Sequence, residues 1–239
     1  SNYIDEYLKT EYTLKSTLKD SVQSSVYLYQ KNNSAKQIVK ISQKNRNDHV
    51  LRRLRGQLHK NTATIYEVCS NDEDVTVLEE YISGATLRHI VEANGGTLKR
   101  ELAVKYALDI CNGLVFIHSL GIIHRDIKPS NIIITEQGEA VIIDFGIARL
   151  TDDSKYSDTK NLGTAGYAAP EQFGIYQSGP VTDIYAVGVL LNELLLGVHP
   201  TIDTPKGKLG KVINKCIMAQ MSKRYQNVSE LAEVLNKLL

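Results

Sequence analysis

The stretch "HRDIKPSNIIITEQGEAVIIDFG", residues 124–146, constrains this chain more than any other. Two short apolar runs, "IIIT" and "AVIID", flank "EQGE", and Gly138 supplies the residue type that a tight turn needs. The pattern predicts an antiparallel hairpin, which returns the end of its second strand to the start of its first. Asn131 enters the first strand and Asp144 leaves the second, so both should lie at one end of the ribbon. Asp126 and Lys128 sit in the loop just before it. One end of one hairpin therefore gathers two carboxylates, an amide oxygen and a cation.

That set suits phosphoryl transfer. The loose transition state spreads charge over the phosphoryl oxygens, so the protein's task is positioning and charge neutralisation. A carboxylate and an amide oxygen are hard ligands fit for Mg2+, which keeps waters and substrate phosphates as its other partners. The second carboxylate can orient an attacking hydroxyl, and the lysine can stabilise charge on the group in transit.

Around this segment the pattern divides in two. Before it lie β-leaning runs, "YTLKSTL", "SSVYLYQ", "KQIVKIS", "ATIYEVC" and "VTVLEEY", with a helix expected over 46–58. After Gly84 the pattern is helical: a stripe over 98–120 with Thr97 as expected N-cap, an apolar helix over 183–196 closed by Gly197, and a last helix over 228–239. The expectation is an α+β chain of two lobes, about 1–83 and 84–239, forming a single domain. With 239 residues, 42% hydrophobic and 23% charged, the chain is long enough and apolar enough for this.

Charge narrows the partners. Twenty-eight Lys and Arg against 27 Asp and Glu leave a net +1, which gives no footprint for nucleic acid. The basic run "RRLRGQLHK" at 52–60 reads as a solvated helix face. No apolar stretch is long enough to cross a bilayer. Cys69, Cys111 and Cys216 form no metal or disulfide spacing, which predicts reduced thiols in a cytoplasmic protein. The chain opens on Ser1-Asn2 without an initiator Met, as an excised domain does, so flanking membrane segments and oligomeric state stay open.

On these motifs the chain resembles the protein kinase family, from about Tyr12 to Leu239. The resemblance implies a bilobal kinase fold, ATP and Mg2+ as cofactors, and proteins bearing Ser or Thr as substrates. Asp126 matches the catalytic aspartate, Lys128 the lysine two residues on, and Asn131 and Asp144 the metal ligands. Lys40 matches the strand lysine that holds nucleotide phosphates. Leu18 and Val26 match the residues over the purine, and Glu80 and Ile82 the adenine-edge hinge. "GTAGYAAPE", residues 163–171, matches the end of the activation segment, in which Thr151, Ser154, Ser157, Thr159 and Thr164 are candidate regulatory hydroxyls and Arg125 the candidate phosphate receiver. Glu171 should pair with Arg224, and Asp183 should brace the catalytic loop. "DIKPSN" with Thr164 is similar to the serine/threonine branch, and the short chain to compact bacterial members.

Four departures stand out, the first being Glu79 in "LEEYISG", at a position that is usually apolar and faces the pocket near the strand lysine. Lys19, Ser21 and Ser24 occupy positions where glycines usually let backbone N–H groups approach phosphates. No glutamate follows Lys40 at the expected helix position, which leaves Glu79 or Asp48 as its candidate partner. Only "TIDTPKGK" separates Pro200 from the next helical run, where the family usually has a longer insertion. A binding or scaffold module with weak or no nucleotide turnover is therefore the alternative reading. A small-molecule phosphotransferase fits "GTAGYAAPE" less well.

Overall fold

The computed structural model describes residues 3–44, 47–152, 163–173 and 177–239. The chain divides into two compact units, Ser1–Ile82 and Ser83–Leu239.

The first unit is built on strands β1 (Tyr12–Asp20), β2 (Ser24–Lys31), β3 (Gln37–Lys44), β4 (Ile65–Ser70) and β5 (Asp74–Glu80), ordered β1-β2-β3-β5-β4 and antiparallel throughout. The five expected strands are present. The turn between β2 and β3 carries Asn33 at φ 57°, a left-handed position that Asn tolerates better than most residues. Two helices flank the sheet where one was expected. Helix α1 (Tyr3–Glu11) precedes β1, and α2 (Asp48–Leu54) is shorter than the helix predicted over 46–58, leaving Leu58 outside it and exposed.

Strand periodicity sorts the side chains of this sheet onto two faces. Val26 pairs with Ile41, Ile41 with Val77 and Val77 with Val68, so these four share one face. Ser70, two residues beyond Val68, belongs to it and donates to Asp48 of α2 at 2.9 Å. Tyr27, Lys40 and Leu78 form the next row and project from the opposite face. There Ile4 and Leu8 of α1 pack with Tyr12, Ile38 and Leu78 in a buried cluster. Docking of Ile4 and Leu8 is what stabilises α1, because nine residues are too few to hold a helix in water alone.

In the second unit, β6 (Gly84–Thr86) leads into α3 (Leu87–Ala93), which Thr86 caps by accepting from the His89 N–H. Helix α4 (Arg100–Ser119) starts later than predicted. Lys99 is its N-cap in place of Thr97, and Leu98 instead donates its N–H to the Leu194 carbonyl. Strand β7 (Ile122–Ile123) follows, then the hairpin β8 (Ile132–Thr135) and β9 (Ala140–Ile142), joined at Gly138 with φ 76°. A short β10 (Arg149–Leu150) pairs with β7.

Helix α5 (Pro180–Leu196) is apolar nearly all round and buried, as its sequence requires. Gly197 ends it in the left-handed conformation, with its N–H on the Glu193 carbonyl. Helices α6 (Lys208–Cys216) and α7 (Val228–Asn236) pack on it. No disulfide forms among the described residues; Cys111 and Cys216 are buried free thiols and Cys69 is partly exposed. No described helix is long and apolar enough to cross a membrane.

Candidate active site

The hairpin does what its sequence pattern requires. Ile132 pairs with Ile142, and the Ile143 N–H donates to the Asn131 carbonyl at 3.0 Å, so Asn131 and Asp144 sit side by side at one end. Asp126 is there too, enclosed by polar groups. Asn131 Nδ2 donates to the Asp126 carbonyl and to its Oδ2, both at 2.9 Å. Lys128 Nζ lies 2.8 Å from Oδ2, and Thr164 Oγ1 donates to Oδ1 at 2.7 Å. Lys128 also donates to the Thr164 hydroxyl at 2.5 Å. Burial pushes the Asp126 carboxyl up, but the bonds from Lys128 and Thr164, with the Lys128 charge, hold it below its ordinary value. The group is an anion at neutral pH, poised to accept.

The backbone at this site is strained. Arg125 and Asp144 adopt φ 67° and 64°, a region that side-chain-bearing residues avoid. Such conformations persist where surrounding bonds over-determine them, and they cluster at functional sites. Here Asp183 of α5 is one such clamp. Its Oδ1 accepts from the Arg125 N–H at 2.8 Å and its Oδ2 from the His124 N–H at 2.9 Å, while His118 Nε2 lies 2.7 Å from Oδ2. Full burial opposes its charge, yet the bonds from His118 and His124 keep its carboxyl low. Phe145 packs edge-on against His124, with ring centroids 5.2 Å apart. The brace expected of Asp183 is therefore in place.

So is the pair Glu171–Arg224. Arg224 Nη1 and Nη2 reach the two carboxylate oxygens at 2.7 and 2.9 Å, and both side chains are buried. Thr182 also donates to Glu171, and Arg224 to the Val181 and Met218 carbonyls. Of the candidate regulatory hydroxyls, Thr164 is bonded to Asp126, and Thr151 donates to the Gly121 carbonyl at 3.3 Å. Ser154, Ser157 and Thr159 lie outside the described residues. Arg125, the candidate phosphate receiver, is buried and donates its Nε to the Ile147 carbonyl.

The first unit corrects two expectations. Neither Glu79 nor Asp48 partners Lys40. Glu79 is buried across from Val39, on the face opposite to Lys40, and Asp48 bonds Ser70 and Arg52. Lys40 Nζ instead meets Asp5 of α1 at 2.5 Å, over a recess of about 610 Å3 lined also by Ser25, Ser42 and Thr76. The strand lysine thus points away from the face that carries Val26. The physical cause is strand parity, since a one-residue difference in register moves a side chain to the other face. No sequence signal marks Asp5, which acts from a short helix 35 residues upstream.

The glycine-free stretch forms a tight hairpin tip between β1 and β2. The Ser21 N–H and hydroxyl both donate to the Ser24 carbonyl, and the Ser24 N–H donates to Ser21 Oγ at 3.2 Å. Ser25 Oγ donates to Asp20. The Ser21 and Ser25 hydroxyls are thus spent inside the turn. Leu18 is half exposed on β1 and Val26 partly buried on β2. Glu80 Oε2 accepts from the Thr64 N–H at 3.1 Å, and Ile82 borders the same recess as Thr64 and Glu80.

The donor set fits Mg2+. Asn131 spends its amide nitrogen on Asp126, which leaves its oxygen as the ligating atom. Asp144 Oδ1 accepts from the Gly146 N–H at 3.0 Å, which orients the carboxylate. Among the described residues no group of three or more His, Cys, Asp or Glu is placed to hold a metal ion.

Comparison with known proteins agrees with this geometry. Residues 12–239 match the model of the protein kinase domain. A probable serine/threonine-protein kinase of Clostridium acetobutylicum is 33% identical over 205 residues, 74% of this chain and 31% of the relative. One of Clostridium perfringens is 30% identical over 223 residues, 80% of this chain and 32% of the relative. Serine/threonine-protein kinase PknB of Mycolicibacterium smegmatis is 41% identical over 133 residues, 54% of this chain and 21% of the relative. The chain thus spans about a third or less of these relatives. It belongs to the protein kinase family, and within it to the eukaryotic-like serine/threonine kinases.

Proposed function

We propose that this chain transfers the γ-phosphoryl group of ATP to Ser or Thr hydroxyls of proteins, with Asp126 as the base that orients the attacking hydroxyl. One observation carries the reading. Asp126 is an ionised carboxylate held by Lys128, Thr164 and Asn131 at the end of a hairpin that also presents Asp144. A structural carboxylate does not need a strained residue on its N-terminal side, a lysine on one of its oxygens and a hydroxyl on the other.

In this reading Asp126 accepts the hydrogen bond of the substrate hydroxyl and aims its oxygen. Lys128, already 2.8 Å from Asp126, offsets the charge that develops on the transferred group. Thr164 fixes the Asp126 rotamer from the segment on which the substrate lies. Asn131 and Asp144 hold Mg2+, which when bound neutralises and orients the phosphates. Val26, Leu18, Glu80 and Ile82 serve the purine end. Lys40 is given a structural role with Asp5, and nucleotide affinity is accordingly weak.

The test is transfer of labelled phosphate from ATP with Mg2+ to a generic basic protein. Wild type should label Ser and Thr. Asp126→Asn should still bind ATP while transfer falls by about 100-fold or more. Full activity in that variant removes the reading.

A further inference from the structure

The segment 163–173 returns to the catalytic loop through a side chain that none of the motifs explains. Gln172 is 3% exposed, one residue beyond the Glu171–Arg224 pair. Its Oε1 accepts from the Ala169 N–H at 3.0 Å, and an amide oxygen cannot donate. That bond fixes which way the amide points. Nε2 is the other end, and it donates to the Arg125 carbonyl at 3.0 Å.

Arg125 is the strained residue at φ 67° immediately before Asp126. Asp183 takes its N–H and Ile147 its guanidinium. The carbonyl, which belongs to the peptide that leads into Asp126, is held by Gln172. The same side chain also meets the other flank of the site. Gly163 adopts φ 133°, and a Cβ there would fall 2.7 Å from Gln172 Nε2, so the Gly163 backbone lies directly against this amide. Gly163 in turn precedes Thr164, whose hydroxyl donates to Asp126 Oδ1. Both backbone approaches to the carboxylate, through Arg125 and through Thr164, thus pass over one buried amide.

We propose that Gln172 is a positioning residue for Asp126, tying the end of the activation segment to the Arg125–Asp126 peptide so that carboxylate and bound substrate share one frame. The inference rests on the phosphoryl-transfer reading above. It concerns orientation and not nucleotide binding, so it predicts a split between the two.

The experiment uses the full chain. Gln172→Met keeps the volume and removes both the donor to Arg125 and the acceptor for Ala169; Gln172→Glu keeps the acceptor for Ala169 but sets an oxygen against the Arg125 carbonyl. With Asp126 displaced by about an ångström, kcat should fall about 10- to 100-fold while KM for ATP stays within about twofold. Gln172→Glu should recover activity relative to wild type as pH falls, because a protonated carboxyl regains a donor; loss of packing alone would not respond that way. A kcat within about twofold of wild type in Gln172→Met, folded to the same extent, overturns the proposal. So does a Gln172→Glu defect that is independent of pH. If wild type transfers no phosphate to any protein, the functional reading fails, and amide exchange decides the positioning claim separately. Faster exchange at Arg125 and Asp126 in Gln172→Met then supports the tether, and unchanged exchange refutes it.

Discussion

Replacing Lys40 with methionine keeps an unbranched stem and removes the charge, which separates two roles for this residue. In the structure Lys40 Nζ lies 2.5 Å from Asp5, with side-chain exposures of 15% and 27%. A hydrogen bond between charged groups is worth about 1.5–3 kcal/mol. The solvent still reaching the pair trims that toward about 1–2 kcal/mol. For a chain of this size that is a fall of roughly 2–8 °C in melting temperature. The double variant of Lys40→Met and Asp5→Asn should cost less than the two single variants summed, because both remove the Lys40–Asp5 bond. ATP affinity, measured by calorimetry with Mg2+, should stay within about twofold of wild type, less than about 0.5 kcal/mol. The opposite pattern refutes the reasoning. If Lys40→Met melts like wild type yet binds ATP at least about tenfold more weakly, a change of about 1.4 kcal/mol, then Lys40 reaches the nucleotide and not Asp5.

Other perturbations test the remaining architecture. Arg224→Leu strands the buried Glu171 carboxylate and should cost about 3–5 kcal/mol in urea unfolding, whereas a surface change such as Lys211→Leu should cost little. Gly188→Ala puts a Cβ 2.5 Å from Cys216 Cβ between α5 and α6, and overpacking of about 1–3 kcal/mol should appear in the same measurement. Asp183 is held below its ordinary carboxyl value, so its stabilisation is fully present above the unfolded value of 3.8 and is lost as pH falls through the lower folded value. The stability gap between wild type and Asp183→Asn should therefore be constant near neutrality and narrow only in strong acid; a gap that closes above pH about 6 contradicts the assignment. Replacing Lys19, Ser21 and Ser24 with glycine removes the Ser21 hydroxyl that now takes the Ser24 N–H, together with the Cβ atoms that keep a phosphate off the backbone, and calorimetry should show tighter ATP binding.

The catalytic end of the second unit was legible because its information is local. Two short apolar runs, a glycine at the turn and the spacing of Asn131 and Asp144 place both residues at one end of a ribbon whatever surrounds it. Helix α5 was legible for a similar reason, since a run apolar on every side has nowhere to go but the interior. Bonding Arg224 to Glu171 across 53 residues is not a local property; it was expected from the family resemblance, and packing of α5 against the last helices realises it.

Residues with the right identity could still take an unexpected place. Whether Lys40 shares a face with Val26 depends on the parity of the β2–β3 register, which pairs Val26 with Ile41 and turns Lys40 away. Helix α1 has two inward apolar residues and no cooperative length of its own, so it exists only because Ile38 and Leu78 receive it. Asp5 becomes a partner for Lys40 through that docking, and Gln172 becomes a tether only once Arg125 is bent to a positive φ beside it. Apolar runs and spacing are written along the chain, whereas the face, partner and strain of a side chain are set by the elements packed against it.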